Sequence, residues 1–118
     1  MKYEVMVTNI GDFVLQYIKV RDSIIIFDKD VPYHYADMVV AHTIGKLKAD
    51  VTVGDKLTIA EQEYNVTAVG DEANQTLREH GHCTLVFNGS DTVEQPGQIA
   101  VTKGAVPRLM VGDTIRFD

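Results

Sequence analysis

No part of this sequence holds one periodicity for long; brief β-branched segments alternate with turn residues from end to end. YEVMVTNI (3–10) is apolar or β-branched at nearly every position, and DSIIIFD (22–28) is an Ile-rich run between charges. DKLTIA, EYNVTAV, HCTLVF, GQIAVT and DTIRF continue the series. Short strands punctuated in this way predict an all-β chain, a barrel or sandwich rather than βαβ units. The expected fold is a small closed β-barrel of about six strands with one short helix at about 71–80. That helix is DEANQTLREHG (71–81), with an Asp suited to N-capping, good helix formers within, and Gly81 where a C′ glycine belongs. Ala73 and Leu77, four apart, would press one narrow apolar stripe onto the sheet. A further helical turn fits YHYADM (33–38).

One internal echo bears on how such a barrel is assembled. VTVGDKLTI (51–59) and LMVGDTIRF (109–117) align without gaps, 58 positions apart, around a shared Val-Gly-Asp. The glycine suits a turn with positive φ, and the Asp can hydrogen-bond the backbone of the strand it introduces. Two readings stand: convergent hairpin turns, or a pseudo-symmetric barrel in which two similar halves interleave.

At 118 residues with no linker or low-complexity tract, 1–118 reads as a single domain. Acidic residues outnumber basic ones by 17 to 11, a formal net charge of −6, which disfavours nucleic acid and anionic membrane surfaces as partners. The same balance suits a partner with a basic docking face. Cys83 is the single cysteine, so no intramolecular disulfide or Cys-rich zinc framework can form. MKYEVMVTNIGDF carries a glutamate where a signal peptide needs apolar residues, and no apolar run approaches about 18 residues. A cytoplasmic location without membrane insertion is the expectation.

Four histidines are the chemical candidates. His34 lies in a polar loop and reads as exposed; His80 ends the predicted helix, where a cation favours the macrodipole. His82 opens the strand CTLVF at the barrel rim. Cys83, the next residue, would point to the opposite face, inward. His42 closes the apolar run MVVA and is followed by Thr43, Ile44 and Gly45. A strand-end histidine beside a glycine suits a nucleophile, and a satisfied core histidine would look the same. No HxH, HxxxH or HExxH spacing pre-arranges a metal site, and no GxSxG or phosphate-binding GxxxxGK[ST] loop is present.

The order of motifs goes further than any one of them. YNVTAVGDEANQTLREHGHCTLVFNG (64–89) followed by VEQPGQIAV (93–101) resembles the glucitol/sorbitol-specific enzyme IIA component of the bacterial phosphotransferase system. The first half is similar too: an apolar run leads to a histidine and then Gly-x-Leu, here His42, Gly45, Lys46 and Leu47. The resemblance implies a phosphoryl carrier, a phosphotransferase component acting only with partner proteins. His42 would accept phosphate from the histidine-containing phosphocarrier protein and pass it to a IIB component, for alditol uptake through the IIC permease. Thr43 and Ile44 stand where the family often has a second histidine or a cysteine, and Asn88 stands where an Asp is common.

Neutral imidazole is both nucleophile and leaving group near pH 7. One ring nitrogen must be bare while the other holds its proton against a fixed acceptor. His82 is the favoured tautomer-fixing residue, and the amides of Thr43, Ile44 and Gly45 are candidate donors to the phosphate oxygens. No metal or cofactor is required. The His42 ring is expected to be open to solvent, inside an apolar patch with an acidic rim. The competing readings are a non-enzymatic β-barrel that binds a ligand or protein, and a metal-dependent hydrolase using His42 and His82.

Overall fold

A computed structural model describes all 118 residues. Eight strands, two α-helices and one 3₁₀ helix follow one another along the chain: β1 (Tyr3–Ile10), α1 (Val14–Arg21), β2 (Ser23–Asp28), a 3₁₀ helix (Tyr33–Met38), β3 (Val40–His42), β4 (Lys56–Ile59), β5 (Gln62–Val69), α2 (Ala73–His80), β6 (Cys83–Val86), β7 (Gln98–Val101) and β8 (Thr114–Phe117). The strands close in the order β1-β3-β2-β6-β7-β5-β4-β8. Neighbours are antiparallel except β2·β3 and β6·β7. Inward side chains of alternate residues, such as Tyr3, Val5 and Val7 on β1, fill the interior with Ile24, Ile26, Leu57, Ile59, Leu85, Ile99, Ile115 and Phe117.

The barrel has eight strands rather than about six. One strand is only three residues long, β3, too short to show an alternation of its own. The 33–38 turn is helical as expected, in 3₁₀ form, and α2 presents Ala73 and Leu77 as its buried residues. Its N-cap is Glu72 rather than Asp71, and no side chain caps it. The helix α1 was not expected, because VLQYIKVR mixes β-branched and polar residues without a clear stripe and buries only Val14. Tertiary contacts outweigh that weak local preference.

Those contacts show that the echo reflects a pseudo-two-fold fold. Gly11 and Phe13 donate to the carbonyls of Val39 and Asp37 on entering α1; Gly70 and Glu72 donate to those of Gln98 and Pro96 on entering α2. Thr43 donates to Met6 and accepts at its hydroxyl from the same residue, as Thr102 does with Asn65. Each pair is related by 59 positions. Both helices end on a left-handed residue, Asp22 at φ 50° and Gly81 at φ 60°. The axis passes between Ile25 and Thr84, which face each other across β2·β6.

The two Val-Gly-Asp turns launch β4 and β8. Gly54 and Gly112 sit at φ 96° and 98°, a region that favours glycine. Asp55 accepts from the Thr52 amide at 2.8 Å and Asp113 from the Met110 amide at 2.7 Å. Asp55 alone also accepts from Lys2 Nζ, at 2.7 Å. Burial works against this carboxylate, but the bonds from Lys2 and Thr52 outweigh it and hold its pKa below the usual range. Such a group adds stability that is complete above the unfolded-state pKa of about 4 and is lost as pH falls through the lower folded value. Asp55→Asn is expected to cost about 1–3 kcal/mol in urea unfolding at pH 7. The deficit should shrink on acidification below pH ~4; an equal deficit at all pH values would contradict this assignment.

Candidate functional site

The parity of β2 and β3 turns two polar side chains into an otherwise apolar barrel. Asp28 follows Ile24 and Ile26 on the inner face, and His42 follows Val40; the two are register partners across the parallel pair. Asp28 is 9% exposed and His42 is fully buried. A buried imidazole is tolerated only when its nitrogens are hydrogen-bonded. Here Nδ1 lies 2.7 Å from the Thr43 carbonyl oxygen, and Nε2 lies 2.7 Å from that of Gly81. A carbonyl only accepts, so each contact calls for an N–H. A neutral ring satisfies one of them, and a ring with both protons satisfies both.

The expectation of an open His42 ring is therefore overturned. The junction between α2 and β6 covers it, and the Gly81 carbonyl occupies the direction in which Nε2 would act. A Cβ built on Gly81 would lie 2.5 Å from His42 Cε1 and 3.1 Å from Asp28 Cβ, so only glycine lets the junction come this close. Tyr3 closes the far side, its ring edge-on to His42 with centroids 6.2 Å apart. Its hydroxyl is buried without a hydrogen-bond partner. Burial, helped by Cys83 and Asp28, raises the Tyr3 pKa well above its usual value, so the phenol stays neutral. Cys83 does point inward, and burial pushes its thiol up to about 12, too high for a nucleophilic thiolate at neutral pH.

The other proposed residues divide. His82 makes neither of the ring-nitrogen contacts of His42; the tautomer-fixing acceptors are backbone carbonyls instead. Its ring lies on the outer wall against Phe27, with centroids 4.7 Å apart, and Phe27 also stacks on His80 at 6.0 Å. Burial, then the neighbouring His80, lower the His82 pKa, which keeps this ring neutral. The His82 backbone carbonyl accepts from Thr76 Oγ1 at 2.6 Å, so the residue anchors the peptide that covers His42. The Thr43 amide is committed to Met6, whereas the amides of Ile44 and Gly45 have no backbone acceptor. Outside, Met6 and Ile44 are exposed beside Thr43, and a shallow groove of about 260 Å³ runs between Glu4, Met6, Thr43 and Thr114. Two exposed apolar side chains, Met6 and Ile44, thus lie next to the site, although the ring beneath them is closed.

Asp28 and Tyr3 were not singled out from the sequence, and Gly81 was marked only as the C′ glycine of α2. Asp28 was legible in principle, since the alternation Ile24, Ile26, Asp28 puts a carboxylate on the inner face. The pseudo-two-fold axis makes the pair more telling. The mates of His42 and Asp28, 59 positions on, are Val101 and Phe87, both buried and apolar. The other half of the barrel fills these places with hydrocarbon. No three His, Cys, Asp or Glu side chains converge anywhere in the chain. His42 and His82, one facing carbonyls and the other stacked on Phe27, do not share a coordination point.

Known proteins agree with the order of motifs. A family profile described as "PTS system glucitol/sorbitol-specific IIA component" matches residues 2–116. The chain is 29% identical over 116 residues to the PTS system glucitol/sorbitol-specific EIIA component of Escherichia coli K12, covering 98% of this chain and 94% of that one. The Shigella flexneri protein of the same description matches at the same identity and coverage. The crystal structure of a PTS system IIA component from Enterococcus faecalis V583 superposes with a TM-score of 0.85 at 25% identity, covering 97% of this chain and 98% of that chain. The inner-face histidine, the helix-to-strand junction that covers it and the eight-stranded frame around both are carried by a chain that belongs to the glucitol/sorbitol-specific IIA component family of the phosphotransferase system.

Proposed function

We propose that this protein, acting in the cytoplasm as one unit of residues 1–118, carries a phosphoryl group on His42 between the histidine-containing phosphocarrier protein and a IIB component serving alditol uptake. The observation that carries this reading is the symmetry break: a buried histidine–aspartate pair where the other half of the barrel has Val101 and Phe87.

The carbonyls around His42 suggest how the step runs. Nδ1–H donates to the Thr43 carbonyl, which fixes the tautomer and leaves Nε2 as the nucleophile once the Gly81 peptide turns away. Nε2 attacks the phosphorus of the donor phosphohistidine. The new N–P bond forms as the donor's N–P bond breaks, and the donor imidazole leaves with the electron pair. Nδ1 keeps its proton throughout, so no net proton moves. The Ile44 and Gly45 amides, free of backbone acceptors, are candidate donors to the phosphoryl oxygens, with Lys46 and Lys48 close in sequence. The reverse sequence delivers the group to the IIB partner. Met6 and Ile44 supply apolar contact during docking, and the acidic balance of the chain favours a basic partner face.

The closed ring also favours a second reading, a binding module in which His42 is structural, and one assay separates the two. The protein is incubated with the phosphocarrier, its upstream kinase and phosphoenolpyruvate, and its intact mass is measured. A gain of one acid-labile phosphate that disappears in His42→Ala is the expected result; an unmodified wild-type protein, or a His42→Ala protein that still gains phosphate, rejects the carrier reading. His82→Ala should retain phosphorylation but transfer more slowly, because the junction that carries the Gly81 peptide loses the ring packed on Phe27 while keeping its backbone bond to Thr76. A wild-type rate removes His82 from the site.

Gly81 and Gly54 give a stability contrast. A Cβ at Gly54 meets nothing within 4 Å, so Gly54→Ala carries only the left-handed backbone cost, about 1–2 kcal/mol. Gly81→Ala adds the contact with His42 and is expected to lose more in urea unfolding, with a displaced His42 Cε1–H resonance. Equal losses and an unmoved resonance would contradict the close approach.

A further inference from the structure

The two α-helices are mates about the pseudo-two-fold axis, and their outer faces differ in kind. Their inner faces correspond: Val14 and Ile18 on α1 match Ala73 and Leu77 on α2. Phe13, Gln16, Tyr17 and Val20 recur at i, i+3, i+4 and i+7, the spacing of a single helix face. Their mates are Glu72, Gln75, Thr76 and Glu79. Phe13 and Val20 are exposed, Val20 by 79%, and Tyr17 is half-buried. On the same backbone frame, one helix meets water with apolar side chains where the other uses carboxylates and a hydroxyl.

This face borders a groove. The Tyr17 hydroxyl donates to Met38 Sδ at 3.4 Å and ties α1 to the 3₁₀ helix. Phe13, Gln16, Tyr17, Val20, Arg21 and Met38 then line a shallow depression of about 270 Å³. Charge is divided along α1. Asp12 stands at its entry beside Asp37, whose carbonyl accepts from the Phe13 amide. Lys19 and Arg21 stand in its last turn, against the single Asp22. None of these five side chains takes part in an ion pair within the chain.

We propose that this face binds the same face of a second copy of the chain, with the two α1 helices antiparallel about a two-fold axis. Aligned on the midpoint between Gln16 and Tyr17, the second copy sets its Val20 against Phe13 and its Arg21 against Asp12. Each contact then occurs twice, as a two-fold interface requires. The Phe13 ring of each copy enters the groove of the other between Val20 and Met38. Two chains of net charge −6 repel one another, but in this orientation the acidic end of each α1 meets the basic end of the other. A parallel pairing would set Arg21 against Arg21. The helix has eight residues, about 12 Å, so the contact is small and the dimer a weak one. The pairing uses neither α2 nor the Gly81 junction and is independent of His42.

The test is sedimentation equilibrium of the full chain from about 10 µM to about 1 mM, with amide NMR over the same range. A monomer–dimer equilibrium is expected, with shifts in residues 12–21 and 33–38 that grow with protein concentration. Val20→Glu gives this exposed place the residue type of its mate, Glu79, and should raise the dissociation constant at least about tenfold with urea unfolding of the dilute protein unchanged. Arg21→Asp and Asp12→Arg should each weaken the dimer, and an equimolar mixture of the two should recover it, because the reversed charges again face opposite ones. His42→Ala should dimerise as wild type does, so failure here and failure of the phosphorylation assay are separate results. A chain that stays monomeric throughout, a Val20→Glu protein that dimerises as wild type does, or a mixture without recovery overturns the proposal. So do α1 shifts that ignore protein concentration and arise only when the phosphocarrier protein is added, which would assign the face to that partner.

Discussion

The molecule closes only because each half lends its fourth strand to the other. β4 hydrogen-bonds to β5 and β8, and β8 to β1 and β4, so neither strand pairs within its own half. Every ladder then has two neighbours and no edge is left open. The exchange is set by two Val-Gly-Asp turns with nearly the same φ at glycine and the same carboxylate-to-amide bond. An eight-stranded barrel has an interior that side chains can just fill. An inward polar residue therefore has little water to meet, and His42 finds its partners in the backbone.

His42 illustrates the consequence. It occupies the last position of a three-residue strand, where the ladder ends and the Thr43 carbonyl turns toward the ring. The second carbonyl comes from the far half of the chain, at the left-handed residue that ends α2. Because that residue is Gly81, backbone can approach the imidazole at a distance a larger residue would forbid. The site is thus made of backbone as much as side chain, and its cover is a helix-to-strand junction held by one threonine hydroxyl and two stacked rings. Built this way, the His42 ring is kept out of water, and the apolar Met6 and Ile44 lie exposed outside it.

The pseudo-two-fold repeat shows where side chains can differ in such a fold. Backbone hydrogen bonds repeat across the axis, while side chains at related places differ sharply: His42 against Val101, Asp28 against Phe87, Phe27 against Val86. The main chain is held by the shared requirement to close the barrel. Side chains are free to vary as long as the interior volume is filled.

Local pattern determined much of this protein. The β-branched runs marked most of the strands, Gly81 marked the end of α2, and the Val-Gly-Asp echo marked the paired turns, since each depends on residues a few positions apart. The ordered motifs from His42 to Pro96 and Gly97 marked the family. Tertiary structure alone decided that VLQYIKVR is helical, because its entry is held by Val39 and Asp37 across the barrel. It alone placed His42 under a carbonyl 39 positions away and His82 on the outer wall. Burial, hydrogen-bond partners and cover are set by which distant segments meet, and a one-dimensional pattern carries the face a residue points to but not what stands in front of it.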